Sequence, residues 1–175
     1  MAADTGEHRD ALSKLDKLSR KQHIGTRTRA LEHGVAAARW TVAHRTLAVT
    51  AGILAAVAGG TLLASVQTVA PAVAAVLALL AAIVSALDAS LGASTNVVNH
   101  KEAADRFTRV ASGFVLLHEV QLLDGAGYAE QIARYEAAMR TRDEAVATSP
   151  QPPAWAQRAV RRRRQRAEQS RAHEN

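Results

Sequence analysis

A long run without charge is the feature that most restricts how this chain can fold. All 22 basic and 16 acidic residues lie in 1–45 or 88–175, so the 42 residues from Thr46 to Leu87 carry no charge. One helix needs about 20 apolar residues to cross a hydrocarbon layer of about 30 Å. The run is therefore long enough for two crossings joined by a short turn.

Pro71 divides this run, because a proline at a helix start loses no backbone hydrogen bond. We place the first span at 46–66, the turn at 67–70 and the second span at 71–91, which predicts a transmembrane helical hairpin. The 45 residues before it are polar and carry nine Lys/Arg, unlike a cleaved signal peptide. The alternative is an Ala-rich hairpin buried inside a soluble helical bundle.

Basic residues flank the two predicted spans on the same side. Arg39 and Arg45 precede the first span, whereas Lys101, Arg106 and Arg109 follow the second. Lys and Arg are in excess on the cytoplasmic side of membrane proteins. The flanks therefore predict a multi-pass protein with both termini in the cytoplasm.

The segments outside the hairpin also have helical patterns, so the predicted fold class is all-α. We divide the chain into a cytoplasmic helical segment (1–45), the hairpin (46–91), cytoplasmic helices (92–147) and a Pro-rich linker with an Arg-rich tail (148–175). A turn is predicted at 124–127. Four apolar seams are predicted: Leu12, Leu15 and Leu18; Leu31, Val35, Ala38 and Val42; Ala103, Phe107, Val110, Phe114 and Leu117; and Tyr128, Ile132, Tyr135 and Met139. Such seams pair within or between chains, and their coiled-coil width favours self-assembly.

Small residues recur with a period of four in both spans. They form a first small-residue ridge of Ala48, Gly52, Ala56, Gly60 and Ala64, and a second of Ala74, Ala78, Ala82, Ala86 and Ser90. Lipid provides no hydrophobic force between helices, so their association depends on the close backbone approach that such ridges permit. The ridges predict tight packing within the hairpin, between protomers or both. The alternative is that an Ala-rich composition produces this spacing by chance.

Polar side chains follow one face of the second span and continue past it. Ser85, Asp88, Thr95 and Asn99 are the candidate pore-lining residues, because a polar face on a spanning helix can line water. Asp88 is the only ionisable residue in either span, and a carboxylate at membrane depth is a functional hypothesis by default. Two interpretations remain open: Asp88 lies at the mouth of a pore, or it forms a structural pair with Arg45.

The sequence contains no motif of catalysis, metal binding or cofactor binding. It has no cysteine, and its seven histidines are scattered. Neighbours such as His100 and Glu102 do not share a helix face, which argues against a metal site. Gly125 and Gly127 lack the strand and helix that a phosphate-binding loop requires. We therefore predict a protein that is not an enzyme and holds no cofactor or metal.

An arginine cluster follows the proline-rich segment at 148–153, which is predicted to stop the preceding helix. This basic helix or disordered tail contains Arg161, Arg162, Arg163, Arg164 and Arg166. Such a cluster binds anionic lipid, enforces membrane topology, or contacts nucleic acid or an acidic protein. We favour lipid or topology over nucleic acid, because no base-reading element accompanies the cluster.

The order of these segments resembles a known family. A helix ends in Gln22-His23, then Ala36-Ala37-Ala38-Arg39-Trp40 and His44-Arg45, and two adjacent membrane helices follow. After them come Asn99-His100-Lys101-Glu102-Ala103-Ala104-Asp105-Arg106-Phe107, then Tyr135, then Ser149-Pro150 with Pro153-Ala154-Trp155. Over about residues 10–160 the layout is similar to the SLATT family, the SMODS- and SLOG-associating two-transmembrane effectors of bacterial conflict systems.

The resemblance implies an oligomeric effector of the bacterial inner membrane, one that opens a pore during anti-phage defence. It implies no catalytic residues. We expect the trigger to come from a separate nucleotide-synthesising or nucleotide-sensing protein, because the chain has no room for such a domain of its own. The alternative, from another class of protein, is a non-conducting membrane anchor or adaptor whose basic tail binds lipid or a partner.

Overall fold

The computed structural model describes residues 4–64, 70–119 and 128–174. Within these residues the regular elements are all helices: α1 (Asp4–Ala64), α2 (Ala70–Leu91), α3 (Ala93–Glu119), α4 (Tyr128–Thr148) and α5 (Ala154–Glu174). The predicted all-α fold is confirmed. The turn predicted at 124–127 lies outside the described residues, as do the end of the first span and most of the turn that follows it.

The helices form two compact units. The apolar unit comprises Ala37–Val98 and contains the C-terminal part of α1, all of α2 and the start of α3. The polar unit comprises Met1–Ala36 and Asn99–Asn175. The predicted hairpin of 46–91 lies inside the apolar unit, which extends beyond it at both ends.

The apolar unit is held together by a seam with alternating spacings of three and four residues. Between 47 and 61 the α1 positions that are buried or half-buried are 47, 51, 54, 58 and 61. Between 71 and 91 the corresponding α2 positions are 74, 77, 81, 84 and 88. This spacing keeps one stripe of each helix facing its partner. Alanines at the most buried positions, Ala58, Ala74 and Ala81, allow the two backbones to approach closely.

Gly92 ends α2 and separates it from α3. Its φ of +55° lies in the left-handed region, which glycine adopts without the steric penalty of a Cβ atom. The Gly92 N–H donates to the Ala89 carbonyl at 3.2 Å, and the Asn96 side-chain amide donates to the Leu91 carbonyl at 3.1 Å. These bonds satisfy carbonyls that the end of a helix would otherwise leave unpaired.

The core of the polar unit is built mainly from α3 and α4. Phe107, Val110 and Phe114 of α3 are at most 5% exposed, and Ala145 of α4 completes the buried cluster. Tyr135 and Met139 of α4, Leu117 of α3 and Ala30 of α1 pack against it. The seam predicted from Ala103 to Leu117 is confirmed, because its regular spacing places large apolar side chains on one face of α3.

The buried face of α1 in the polar unit is polar, and here the predicted seam was wrong. Leu31 is 50% exposed, while Ser19, Thr26 and His33, at intervals of seven residues, are at most 4% exposed. The Ser19 hydroxyl donates to the Phe114 carbonyl at 3.2 Å, and His23 Nδ1 donates to the Ala111 carbonyl at 3.1 Å. These small or hydrogen-bonded side chains can be buried because each polar group has a partner.

Other members of the two predicted α1 seams are either exposed or half-buried. Val42, which lies in the apolar unit, is 65% exposed, and Leu18 in the polar unit is 47% exposed. Leu12 and Leu15 are half-buried beside Leu117. In the seam of Leu12, Leu15 and Leu18, therefore, only Leu12 and Leu15 face the interior of the polar unit.

The arginine-rich tail is a helix, α5, rather than disordered chain. It follows residues 149–153, which are not helical, so the predicted stop after Thr148 is confirmed. Ala156 and Val160 are at most 3% exposed and anchor the first turns of α5 in the polar unit. Two carbonyl contacts of Pro153, from the Ala156 and Gln157 N–H groups, form the start of this helix.

Candidate functional site

A hydrogen-bonded His–Asp pair joins α1 and α2 inside the apolar unit. His44 Nδ1 lies 2.9 Å from Oδ2 and 3.1 Å from Oδ1 of Asp88, so the imidazole donates to the carboxylate in a forked hydrogen bond. The side chains of His44 and Asp88 are 38% and 20% exposed. Position 88 continues the buried seam of α2, so the carboxylate is directed at α1 rather than away from the hairpin.

The partner of Asp88 is therefore His44, not Arg45 as predicted. Arg45 is the next residue on α1, about 100° further around the helix, and it is exposed. The prediction considered only the permanently charged Arg45, whereas the neighbouring imidazole of His44 can also donate to a carboxylate. A His–Asp pair is a full ion pair only when the imidazole is protonated, so its strength depends on a proton as well as on geometry.

The four candidate pore-lining residues do not form one continuous helical face. Ser85 and Asp88 lie on α2, whereas Thr95 and Asn99 lie on α3, beyond the break at Gly92. Ser85 and Thr95 are exposed in the apolar unit, and Asn99 is exposed in the polar unit. The predicted stripe assumed an unbroken helix through Gly92, and that assumption was wrong.

Except for Ala74, which is buried in the hairpin seam, the members of the two small-residue ridges whose side chains are described lie on open surface. Gly52, Ala56 and Gly60 are exposed, as are Ala78 and Ala82. An added Cβ at Gly52 or Gly60 would meet no atom within 4 Å. Packing within the hairpin uses only Ala74 of these ridges, because its spacing alternates between three and four residues and a ridge with a strict period of four drifts away from that stripe.

The five arginines of the predicted basic cluster all lie on α5 and are exposed. Arg164 donates to the Thr28 hydroxyl of α1 at 3.1 Å, which links this helix to α1. Burial raises the pKa of Glu32 on α1, and the guanidinium groups of Arg29 and Arg161 offset part of that rise. The cluster is thus a structured basic surface with one edge turned toward α1.

Two of the seven histidines that are scattered along the sequence are buried and meet in the core of the polar unit. His33 of α1 and His100 of α3 are 1% and 4% exposed, and their Nδ1 atoms lie 3.0 Å apart. One Nδ1 must donate and the other accept, so the accepting ring is neutral when this bond forms, and burial favours the neutral form of the donating ring as well. The spacing of seven from Ser19 through Thr26 to His33 was the available signal that this position is buried.

The surroundings of this pair disfavour a positive charge. The His33 ring stacks on Phe107 with the centroids 5.5 Å apart, and the Arg29 guanidinium lies 5.8 Å from the same Phe107 ring. Burial, assisted by His100 and Arg29, lowers the pKa of His33 to about 4. Burial also lowers the pKa of His100.

No group of three or more His, Asp or Glu residues is placed to hold a metal ion within residues 4–64, 70–119 and 128–174. The chain also matches no protein-family model, no characterised protein and no solved structure at a significant level. A function must therefore be argued from the two units themselves.

Proposed function

We propose that this chain is an oligomeric, two-span protein of the bacterial inner membrane that forms a pore, an effector of the SLATT type released by a separate nucleotide-synthesising or nucleotide-sensing protein. One observation carries the membrane part of the proposal. Within the described residues, two helices are long and apolar enough to cross a membrane, and only 6% and 11% of their most apolar 18-residue stretches are buried. A soluble core helix would be covered on most faces, and these are not.

The exposed apolar area of the apolar unit supports this assignment. Side chains from Val49 to Leu91 that are between 43% and 62% exposed include Val49, Ile53, Val57, Val73, Val76, Leu79, Leu80, Ile83, Leu87 and Leu91. Soluble monomers rarely leave such a continuous apolar surface in water. Hydrocarbon is the solvent that suits it, because the backbone of both helices is already hydrogen-bonded internally.

Two open surfaces support self-association. The first small-residue ridge faces away from the hairpin seam, and helices in lipid associate through such surfaces. In the polar unit, a groove of about 530 Å³ between α1 and α3 is lined by Leu31 and Leu116, which are 50% and 60% exposed. Copies of the chain that pack through the groove would remove apolar groups from water. Copies that pack through the ridge would replace contacts with lipid by close contacts between helices.

The alternative, a non-conducting membrane anchor or adaptor, is favoured by the His44–Asp88 contact. The only carboxylate of the proposed spans is satisfied by His44 within the apolar unit instead of facing open surface. A pore role for Asp88 then requires the pair to open or to face a water-filled space in the oligomer.

Leakage of ions from vesicles that contain the purified full chain tests the pore against the anchor, with the signalling partner supplied. A pore predicts leakage, and Asp88→Asn is expected to change ion selectivity because it removes one charge at nearly constant size. A structural pair predicts instead that Asp88→Asn and His44→Ala lower insertion or stability together. Arg45→Ala is the matched control, because Arg45 is exposed and lies outside the observed pair.

Vesicles that stay sealed with the unmodified chain and its partner would exclude the pore and leave the anchor. Leakage by Asp88→Asn identical to that of the unmodified chain would remove Asp88 from the pore.

Topology is tested separately. Reporters fused at residue 1 and at residue 175 are both expected in the cytoplasm, and a tag inserted at 67–70 is expected outside. Termini on opposite sides, or recovery of the protein without detergent, would contradict the hairpin.

A further inference from the structure

The outer face of α5 carries a row of three arginines that takes no part in docking the helix. The buried anchors Ala156 and Val160 define the docked side, and every described side chain from Arg161 to His173 is exposed. At 100° per residue, Arg158, Arg162 and Arg166 lie between about 160° and 240° around the helix from Val160. We call these three residues the outer arginine row.

The positive charges of this row repel one another, and α5 carries no acidic residue at the spacing that would offset the repulsion. Like charges four residues apart on a helix repel each other. No acidic residue stands three or four positions from any member of the row, so no intrahelical ion pair compensates the repulsion. A chain that keeps such a row on an ordered helix presents a positive surface of fixed spacing, about 6 Å between successive arginines along the axis.

The composition of α5 restricts what can bind there. Trp155 in the first turn of α5 is half-buried, and from Ala156 onward the helix has no Phe, Tyr or Trp, so the part that carries most of the arginines offers no aromatic platform on which bases could stack. After Val160 it has no large apolar side chain, so it lacks the buried anchor on which protein interfaces usually depend. Binding at this surface therefore depends on the charge of the arginines. Phosphate groups that move freely relative to one another can neutralise that charge without any shape complementarity.

We propose that the outer arginine row of α5 binds the headgroups of anionic phospholipids, so that this helix lies on a negatively charged leaflet. The inference rests on the proposed membrane location, which tethers α5 to a bilayer through the same chain. A basic residue near an anionic leaflet contributes about 1 kcal/mol. Three arginines therefore shift the docked-to-undocked ratio roughly a hundredfold.

The absence of cysteine makes a single-site probe straightforward. Gln169 lies on the outer side of α5, so the full-length Gln169→Cys protein carries one environment-sensitive fluorophore there. It is reconstituted in vesicles of phosphatidylcholine alone and of phosphatidylcholine mixed with phosphatidylglycerol. We expect the probe to become less accessible to acrylamide, a neutral quencher, only in the mixed vesicles, and added salt to reverse the effect.

Matched variants locate the effect. Changing all three arginines of the row to Gln is expected to abolish the lipid-dependent protection, whereas changing them to Lys is expected to retain most of it. The control changes Lys14, Lys17 and Lys21 of α1 to Gln, which removes the same charge from exposed positions on another helix of the polar unit. Helical content measured by circular dichroism shows that each variant is folded, since none of these six side chains is buried.

Each result has a definite meaning. Equal quenching in the two kinds of vesicle, or an equal loss in the lysine control, overturns the inference. A probe response to short duplex DNA in detergent, without any response to phosphatidylglycerol, overturns it in favour of nucleic acid. Failure of the chain to float with either vesicle refutes the membrane location as well, whereas flotation with both and unchanged quenching refutes the inference alone.

Discussion

Acid is expected to destabilise the polar unit through its buried histidine pair. His33 and His100 are neutral partners in the core, and the pKa of His33 is lowered to about 4 from an ordinary value of 6.5. As the pH falls below 6.5, the unfolded chain binds a proton at His33 that the folded chain does not. Stability is therefore complete above the unfolded pKa and is lost as the pH falls toward the folded pKa.

The size of this effect follows from the difference between the two pKa values. Near pH 5 the unfolded histidine is almost fully protonated and the folded one is mostly neutral. The lost stability is about 1–2 kcal/mol for His33 at that pH. Since the pKa of His100 is also lowered, its contribution has the same sign. A loss of this size corresponds to a fall in melting temperature on the order of 5–10 °C.

Trp155 provides the assay, because it is half-buried in the polar unit and the other tryptophan, Trp40, belongs to the apolar unit. A Trp40→Phe background isolates the Trp155 fluorescence in detergent or in nanodiscs. His100→Leu alone is expected to cost about 1–3 kcal/mol near pH 7.5, because His33 Nδ1 then lacks a partner in the core.

The double variant His33→Leu with His100→Leu removes both polar groups and is expected to recover stability and to flatten the response between pH 7.5 and 5. His173→Gln, at an exposed position, is the control and should retain the response of the unmodified chain. If the double variant still loses stability as steeply as the unmodified chain, the histidine pair is not the cause. Equal melting of the unmodified chain at both pH values would refute the reasoning outright.

Three further predictions test other parts of the structure. Phe114→Ala is expected to destabilise the polar unit by about 3–5 kcal/mol, since Phe114 is fully buried, whereas Leu116→Ala, at an exposed position, should cost about 0.5 kcal/mol or less in the same fluorescence assay. Gly92→Ala is expected to cost about 1–2 kcal/mol, because it forces a Cβ into a left-handed conformation at the end of α2; faster proteolysis there would show it, and unchanged proteolysis would contradict the strain. Replacing Gly52, Ala56 and Gly60 of the first small-residue ridge with Leu should leave the hairpin folded but reduce cross-linking between copies, whereas Ala55→Leu should not; unchanged cross-linking would show that this ridge faces lipid.

Local patterns in the sequence were sufficient for the helices and for their largest apolar seam. The uncharged run and Pro71 located the apolar C-terminal part of α1 and the start of α2, and the spacing of Phe107, Val110 and Phe114 identified the buried face of α3. Both signals are local: a charge is costly in any apolar environment, and large apolar side chains at helical spacing lie on one side whatever they pack against. The proline-rich segment likewise ended α4 at Thr148.

The pairing of polar groups was decided by the tertiary structure. Asp88 pairs with His44 rather than the permanently charged Arg45. The packing of α1 against α2 directs position 44 toward α2, so position 45 points away from it. His33 and His100 lie 67 positions apart, and only the packing of α1 on α3 makes them neutral partners. Composition and periodicity state which side chains can be buried. Which of them meet depends on the rotation of each helix about its axis, and that rotation is set by all the contacts of the folded chain at once.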